Sequence, residues 1–183
     1  YGPKERTVSP PADAPGVIAV GSVDENGEIS PFSSLGPTWD GRVKPDLVAP
    51  GVGLATADAG GQGFATVTGS SAAAAVVAGA AALVAEARPT LTAIDLKSAL
   101  VGSGGRLLRE NLALPVTAQG GGLVDPMHAA TAEIAVEPAT LAFGRAEGAD
   151  WSTVRVVSVR NVSSRPLTMT FGLLPDRAVA DLA

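Results

Sequence analysis

The sequence predicts an α/β fold, a parallel sheet flanked by helices, followed by a partial all-β module, and three patterns carry that reading. Residues 17–23, Val-Ile-Ala-Val-Gly-Ser-Val, form a continuous apolar run of strand length, as expected of a strand covered on both faces of a parallel sheet. Residues 72–85 are wholly apolar, counting Gly79, and too long for a strand, so they read as a core helix. From Glu133 onward, apolar and polar residues alternate at period two, the pattern of strands with one buried face. Two regions follow, residues 1–131 and residues 132–183.

Composition excludes several classes. A chain of 183 residues with 46% hydrophobic and 17% charged residues is globular, and it is long enough for one core plus part of another domain. Aromatic residues are only 4% while Gly and Ala abound, so the core is built from small side chains and closely packed backbone. The net charge of −5 is diffuse and includes no basic block, which argues against nucleic acid as a partner. The absence of cysteine excludes disulfides and thiolate metal sites. The apolar run at 72–85 is shorter than the roughly 18 residues of a membrane span and ends in Glu86 and Arg88, so a membrane is not expected either.

In chain order, residues 1–16 are polar and proline-rich and read as a loop in which the adjacent Pro10 and Pro11 admit a cis bond. After the strand at 17–23, Asp24-Glu25-Asn26-Gly27 turns the chain. Prolines and glycines cut residues 29–51 into very short strands and fixed turns that neighbours must order. Asp40 and Asp46 in this stretch can ligate calcium, although isolated loop carboxylates are usually just solvated. The glycine-rich loop 59–63 and Phe64 to Thr68 lead into the central helix, which ends at Arg88-Pro89 because a residue before proline leaves the helical region. Thr92 and Asp95 form a capping-box pattern for a second helix running to about Val101. Residues 104–118 read as a loop, residues 119–126 as a turn and small strand, and His128-Ala129-Ala130 closes the region. Strands are then expected around Leu141 and Phe143, around Val154, Val156 and Ser158, and around Leu167, Met169 and Phe171. Asn161-Val162-Ser163 fits a glycosylation acceptor, and turn chemistry explains it equally well.

The chemistry concentrates at residues 67–79. Gly69 and the hydroxyls of Ser70 and Ser71 precede the apolar helix directly, so Ser71 sits where a tight turn becomes a buried helix. First-turn backbone N–H groups lack intrahelical partners and carry the positive end of the helix dipole, which would stabilise an oxyanion formed at Ser71. The competing reading is a serine cap on a core helix.

Several stretches in order resemble the subtilisin-like serine proteases, the subtilases of peptidase family S8. Residues 69–79, Gly-Ser-Ser-Ala-Ala-Ala-Ala-Val-Val-Ala-Gly, are similar to that family's nucleophile signature, Gly-Thr-Ser-Met-Ala-x-Pro-His-Val-Ala-Gly. Phe32-Ser33-Ser34, Gly36-Pro37, Asp40-Gly41-Arg42, Lys44-Pro45-Asp46 and Ala49-Pro50-Gly51 resemble the segment that precedes it. Residues 17–21 and 119–124 match its flanking landmarks, and the similarity covers roughly residues 1–130. It implies a partial subtilisin-like sheet followed by the start of an immunoglobulin-like or fibronectin-like module.

The resemblance further implies that Ser71 is the nucleophile of a peptide-bond hydrolase acting on peptide or protein substrates, and that its own backbone N–H is one oxyanion donor. Gly69, Ser70, Ala73 and Gly79 are the motif positions that support it. In the family the activating Asp and His precede the serine in the chain, and no candidate stands upstream of Ser71 here. His128, the single histidine, matches the domain-closing segment instead. Tyr1-Gly2-Pro3 looks like what immediately follows the family's oxyanion Asn, so the expected partner is an upstream half of the same domain. Ser70, Ala72, Ala75 and Val76 stand where the family usually has Thr, Met, Pro and His, which predicts a looser helix start and emptier space beside Ser71. Secretion is implied by the family alone, and a non-catalytic scaffold of the same fold is the alternative.

Overall fold

Two short parallel strands organise the molecule. β1 (Val20–Val23) pairs with β2 (Leu47–Pro50), Val20 opposite Leu47 and Val23 opposite Pro50. A third backbone row lies on the far side of β2, where Val48 donates to Gly122 O and Val124 donates to Val48 O, both at 2.9 Å. With neighbours along both edges, Leu47, Val48 and Ala49 lose all solvent contact, as a continuous apolar strand requires. The third row comes this close because of Gly120, where φ is +59° and a Cβ would stand 2.4 Å from the Asp46 carbonyl. The computed structural model describes Gly2, residues 4–144 and residues 150–172.

The remaining elements are β3 (Leu54–Ala57), β4 (Phe64–Val67), α1 (Ser70–Ala87), α2 (Ala93–Gly102), β5 (Leu108–Arg109), β6 (Leu112–Ala113), α3 (Val116–Gln119), α4 (Pro126–Ala130), β7 (Ile134–Glu137) and β8 (Ser158–Asn161). β3 and β4 form an antiparallel hairpin that runs directly into α1. Between β1 and β2, Asp24 Oδ1 accepts the N–H groups of Asn26 and Glu28 at 2.9 Å, which makes the predicted turn. Arg88 caps α1 with its N–H on Val84 O, one residue before Pro89, and Thr92 and Asp95 close the predicted capping box on α2. The Pro10-Pro11 peptide is cis.

α1 buries one stripe. Ala73, Val77, Ala80 and Val84 follow the spacing of a single helix face and pack with Leu47, Ala49, Leu100, Val101 and Ala129 in the core. The expected core helix is therefore in the core along one face only, since 22% of its 18 residues are buried and Leu83 is exposed. Its mean hydropathy of 1.6 is nevertheless that of a membrane-crossing segment by composition. The reason is geometric: among the described residues β1, β2, α2 and α4 lie against one side of α1 only.

Two other expectations change. Residues 104–118 contain a miniature hairpin, β5–β6, reversed through Glu110 and Asn111 at φ +51° and +65°. Both central residues are left-handed, as a tight hairpin needs, but Glu-Asn is not the Asn-Gly or Asp-Gly pair that announces such a turn. In the C-terminal region the described strands are β7 and β8, paired with Ile134 opposite Asn161. Leu141 and Phe143, Val154 and Val156, and Leu167, Met169 and Phe171 form no strand, whereas Ser158 opens β8; Val154 and Val156 are each 84% exposed. Alternation becomes strand structure only where a facing surface covers the apolar side, and no second sheet does so among the described residues. Asn161 makes the turn that its sequence also allowed, its Oδ1 accepting Ser163 N–H at 2.9 Å.

Leu47 sits at the centre of this packing with no exposed surface. Leu47→Ala should lower unfolding free energy by about 2–5 kcal/mol, read from urea denaturation midpoints at unchanged slope.

Candidate active site

Ser71 stands in the first turn of α1 and is exposed. The turn before it hangs from the ends of the parallel strands: Gly69 donates to Gly51 O at 2.7 Å, and Gly51 donates to Val23 O at 2.9 Å. Thr68 Oγ1 accepts the Gly53 N–H at 2.9 Å from the other side of the turn. Gly51 is where this geometry demands the smallest residue. A Cβ there would stand 2.3 Å from Ser22 Oγ and 2.8 Å from Gly69 O.

Behind Gly51 lies a set of buried serines. Ser33 Oγ accepts the Ser22 N–H at 3.0 Å, and the Ser22 and Ser30 hydroxyls are 2.9 Å apart. All three side chains are sealed from solvent, so the ends of β1 and β2 are pinned to the 30–33 segment. The Phe-Ser-Ser and Ala-Pro-Gly stretches touched Ser33 and Gly51, but nothing in the sequence singled out Ser22 or Ser30, whose importance arises from contact across segments.

The capping alternative for the two hydroxyls does not hold. Gly69 occupies the N-cap position, and no side chain makes a cap hydrogen bond there. Ser70 is the first helical residue, Ala73 is fully buried beneath the turn, and Gly79 lies on the exposed side further along. The first turn contains no acidic residue, so the positive end of the α1 dipole meets no carboxylate of its own. Among the described residues, neither the N–H nor the hydroxyl of Ser71 has a hydrogen-bond partner. An exposed hydroxyl beside unpaired helix N–H groups can present a nucleophile and receive an oxyanion at one place.

His128 is not brought to this turn. It lies on α4, 75% exposed at its side chain, with Nδ1 2.5 Å from Asp125 Oδ2. Arg88, at the opposite end of α1 and about 25 Å along the helix from Ser71, donates to Ala130 O at 3.1 Å, two residues beyond His128.

The two candidate calcium ligands are already engaged. Asp46 is buried at the start of β2, where its Oδ2 accepts Lys44 Nζ at 2.5 Å and the Ala19 N–H at 2.7 Å. Its Oδ1 lies 3.1 Å from Lys97 Nζ but out of hydrogen-bond alignment, because that ammonium points at the carbonyls of Pro15 and Val17. Burial pushes the Lys44 ammonium below its ordinary pKa, and the Asp46 carboxylate opposes the shift. Asp40 is held by Arg42 Nε at 2.7 Å and by the Thr38 hydroxyl, which lower its pKa from 3.8 to about 2. No group of three or more metal-binding side chains occurs among the described residues. Two cavities, of about 580 and 320 Å³, open elsewhere on the surface, and Ser71 lines neither.

Comparison with known proteins gives a consistent result. Residues 1–122 match the model of the subtilase family. Serine protease AprX of Bacillus subtilis is 33% identical over 119 residues, which are 54% of this chain and 27% of that protein. Membrane-bound transcription factor site-1 protease of Mus musculus is 37% identical over 137 residues, 70% of this chain and 12% of its own length. Among solved structures, the Clostridium perfringens CspB protease superposes with a TM-score of 0.61 at 34% identity, over 68% of this chain and 28% of its own. The prenylagaramide maturation protease PagA shares the fold, with a TM-score of 0.59 at 24% identity over 69% of this chain and 46% of that one. The chain thus spans less than a third of AprX and CspB.

Two outcomes follow from the charges. Asp46→Asn leaves two ammonium groups without their counter-charge and should cost about 3–5 kcal/mol in urea unfolding. Asp40 has a folded pKa below its ordinary value, so its contribution to stability is complete above about pH 4 and disappears as pH falls from there toward 2. Asp95, Asp125 and Glu133 are shifted in the same direction. Urea midpoints should therefore fall across that acid window, and Asp40→Asn should flatten part of the decline.

Proposed function

The chain belongs to the subtilase family of serine peptidases, and from that premise we propose that Ser71 is the nucleophile of a peptide-bond hydrolase whose remaining machinery lies elsewhere in a longer protein. The observation that carries the reading is the placement of Ser71: an exposed hydroxyl in the first turn of α1, suspended from the ends of β1 and β2 by the Gly51–Gly69 contact. In this mechanism Ser71 Oγ attacks the scissile carbonyl while a base takes its proton. The oxyanion accepts the Ser71 N–H, and the proton then passes to the departing amine. His128 sits at the wrong end of α1 to be that base. The base, its orienting carboxylate and the second oxyanion donor are therefore assigned to an upstream half of the domain.

The uncovered apolar side of α1 supports this assignment. A helix apolar on every side is normally enclosed, and Leu83 with the alanines beside it offers the surface that such a half would cover. The substrate class is peptide or protein. Secretion belongs to the same reading and rests on family resemblance. Cationic partners hold both Asp40 and Asp46, the two carboxylates the sequence offers to calcium.

Fluorophosphonate labelling tests the proposal. The 183-residue chain should label barely above background, because a triad without its base loses on the order of 10⁶-fold in kcat, as subtilisin does. The full-length protein should label strongly at Ser71, and Ser71→Ala should abolish the signal. A full-length protein that stays unlabelled while folded would leave the non-catalytic scaffold as the correct reading.

A further inference from the structure

The β7–β8 hairpin lies beyond the residues that match the family model, which end at 122. Its anchorage is concentrated on α1 and α2. The Arg88 guanidinium, just past the end of α1, donates from Nη1 to Ala130 O at 3.1 Å and Ala132 O at 3.0 Å, and from Nη2 to Val162 O at 2.7 Å. One side chain thereby gathers the end of α4, the segment entering β7 and the residue leaving β8. On α2, the buried Ser98 hydroxyl accepts the Val136 N–H at 2.6 Å. Asp95, whose side chain is buried, serves both as the capping-box partner of Thr92 and as the ion-pair partner of Arg160 on β8. Ala135 is buried, and Ala139 packs on the main core.

A two-stranded hairpin is at best marginally stable by itself in water, so β7–β8 needs an external surface. The groups that meet it are costly to expose unpaired: a buried carboxylate, a buried hydroxyl and three backbone carbonyls on one guanidinium. We infer that the surface built by Arg88, Asp95 and Ser98 is a docking site for this chain's own β7–β8 hairpin, and that the hairpin forms one cooperative unit with α2 and the Ser71-bearing α1. The unit extends at least to Val162, so β7, β8 and Val162 are part of the peptidase-like body and not of an independently stable accessory module. This holds whatever the chemistry at Ser71.

Native-state hydrogen exchange on the full chain reads the coupling directly. The amides of Val136, Val162 and β8 should open with protection within roughly threefold of the slowest α2 amides, and with the same urea dependence. Exchange of the hairpin amides about a hundredfold faster, at low urea dependence, would overturn the inference. A second measurement uses Trp151, between the two strands, as a fluorescent reporter in a Trp39→Phe background, with helical circular dichroism as the other signal. In that background Arg88→Met and Arg160→Met should each move both transitions to lower urea together. Loss of the Trp151 transition alone, with the helical transition unmoved, would show a detachable hairpin.

Discussion

The contact between Gly51 and the Gly69 turn sets the geometry on which the candidate site depends. The end of β2 approaches the start of α1 so closely that the Ser22 hydroxyl and the Gly69 carbonyl occupy the space of a side chain at residue 51. This approach fixes where the first turn of α1 begins and hence where the Ser71 hydroxyl and N–H point. A turn held by two backbone hydrogen bonds and backed by buried serines cannot relax without breaking several of them at once. The departures from the usual family residues at positions 70, 72, 75 and 76 therefore fall on a turn whose position is also held from outside the helix.

The other end of β2 is secured by charge. Asp46 gathers Lys44, Lys97 and the Ala19 N–H, while the two lysines also donate to the carbonyls of Pro15 and Val17 that enter β1. These groups do for the base of the sheet what the serines do for its top: they tie loops lacking regular structure to two strands of four residues each. Isolated, such strands would not persist, and the burial of Leu47, Val48 and Ala49 depends on both ends being closed.

α1 links these features to the rest of the chain. Its buried stripe meets the sheet, its start presents Ser71, and Arg88 at its finish holds α4 and the β7–β8 hairpin. Among the described residues its opposite side is apolar and exposed.

The amino-acid sequence by itself determined the elements whose causes are local. The strand at the end of the apolar run 17–23, where β1 takes up Val20–Val23, the stop of α1 before Pro89, the Thr92–Asp95 capping box and the Asp24 turn form where residue type and spacing place them. It also placed Ser71 at the start of a helix by motif. Tertiary structure decided what depends on a surface supplied by another segment. Val154 and Val156 alternate as a strand would, yet nothing among the described residues covers them. Asp46 reads as a loop carboxylate and becomes a buried ion-pair centre because Lys97 arrives from α2. Gly51 is marked in the sequence only as part of an Ala-Pro-Gly stretch, and the fold supplies the reason by bringing Ser22 and Gly69 against it. Local periodicity and capping act within a few residues, whereas burial, charge pairing and close approach join positions tens of residues apart, and no pattern along the chain encodes which of them will meet.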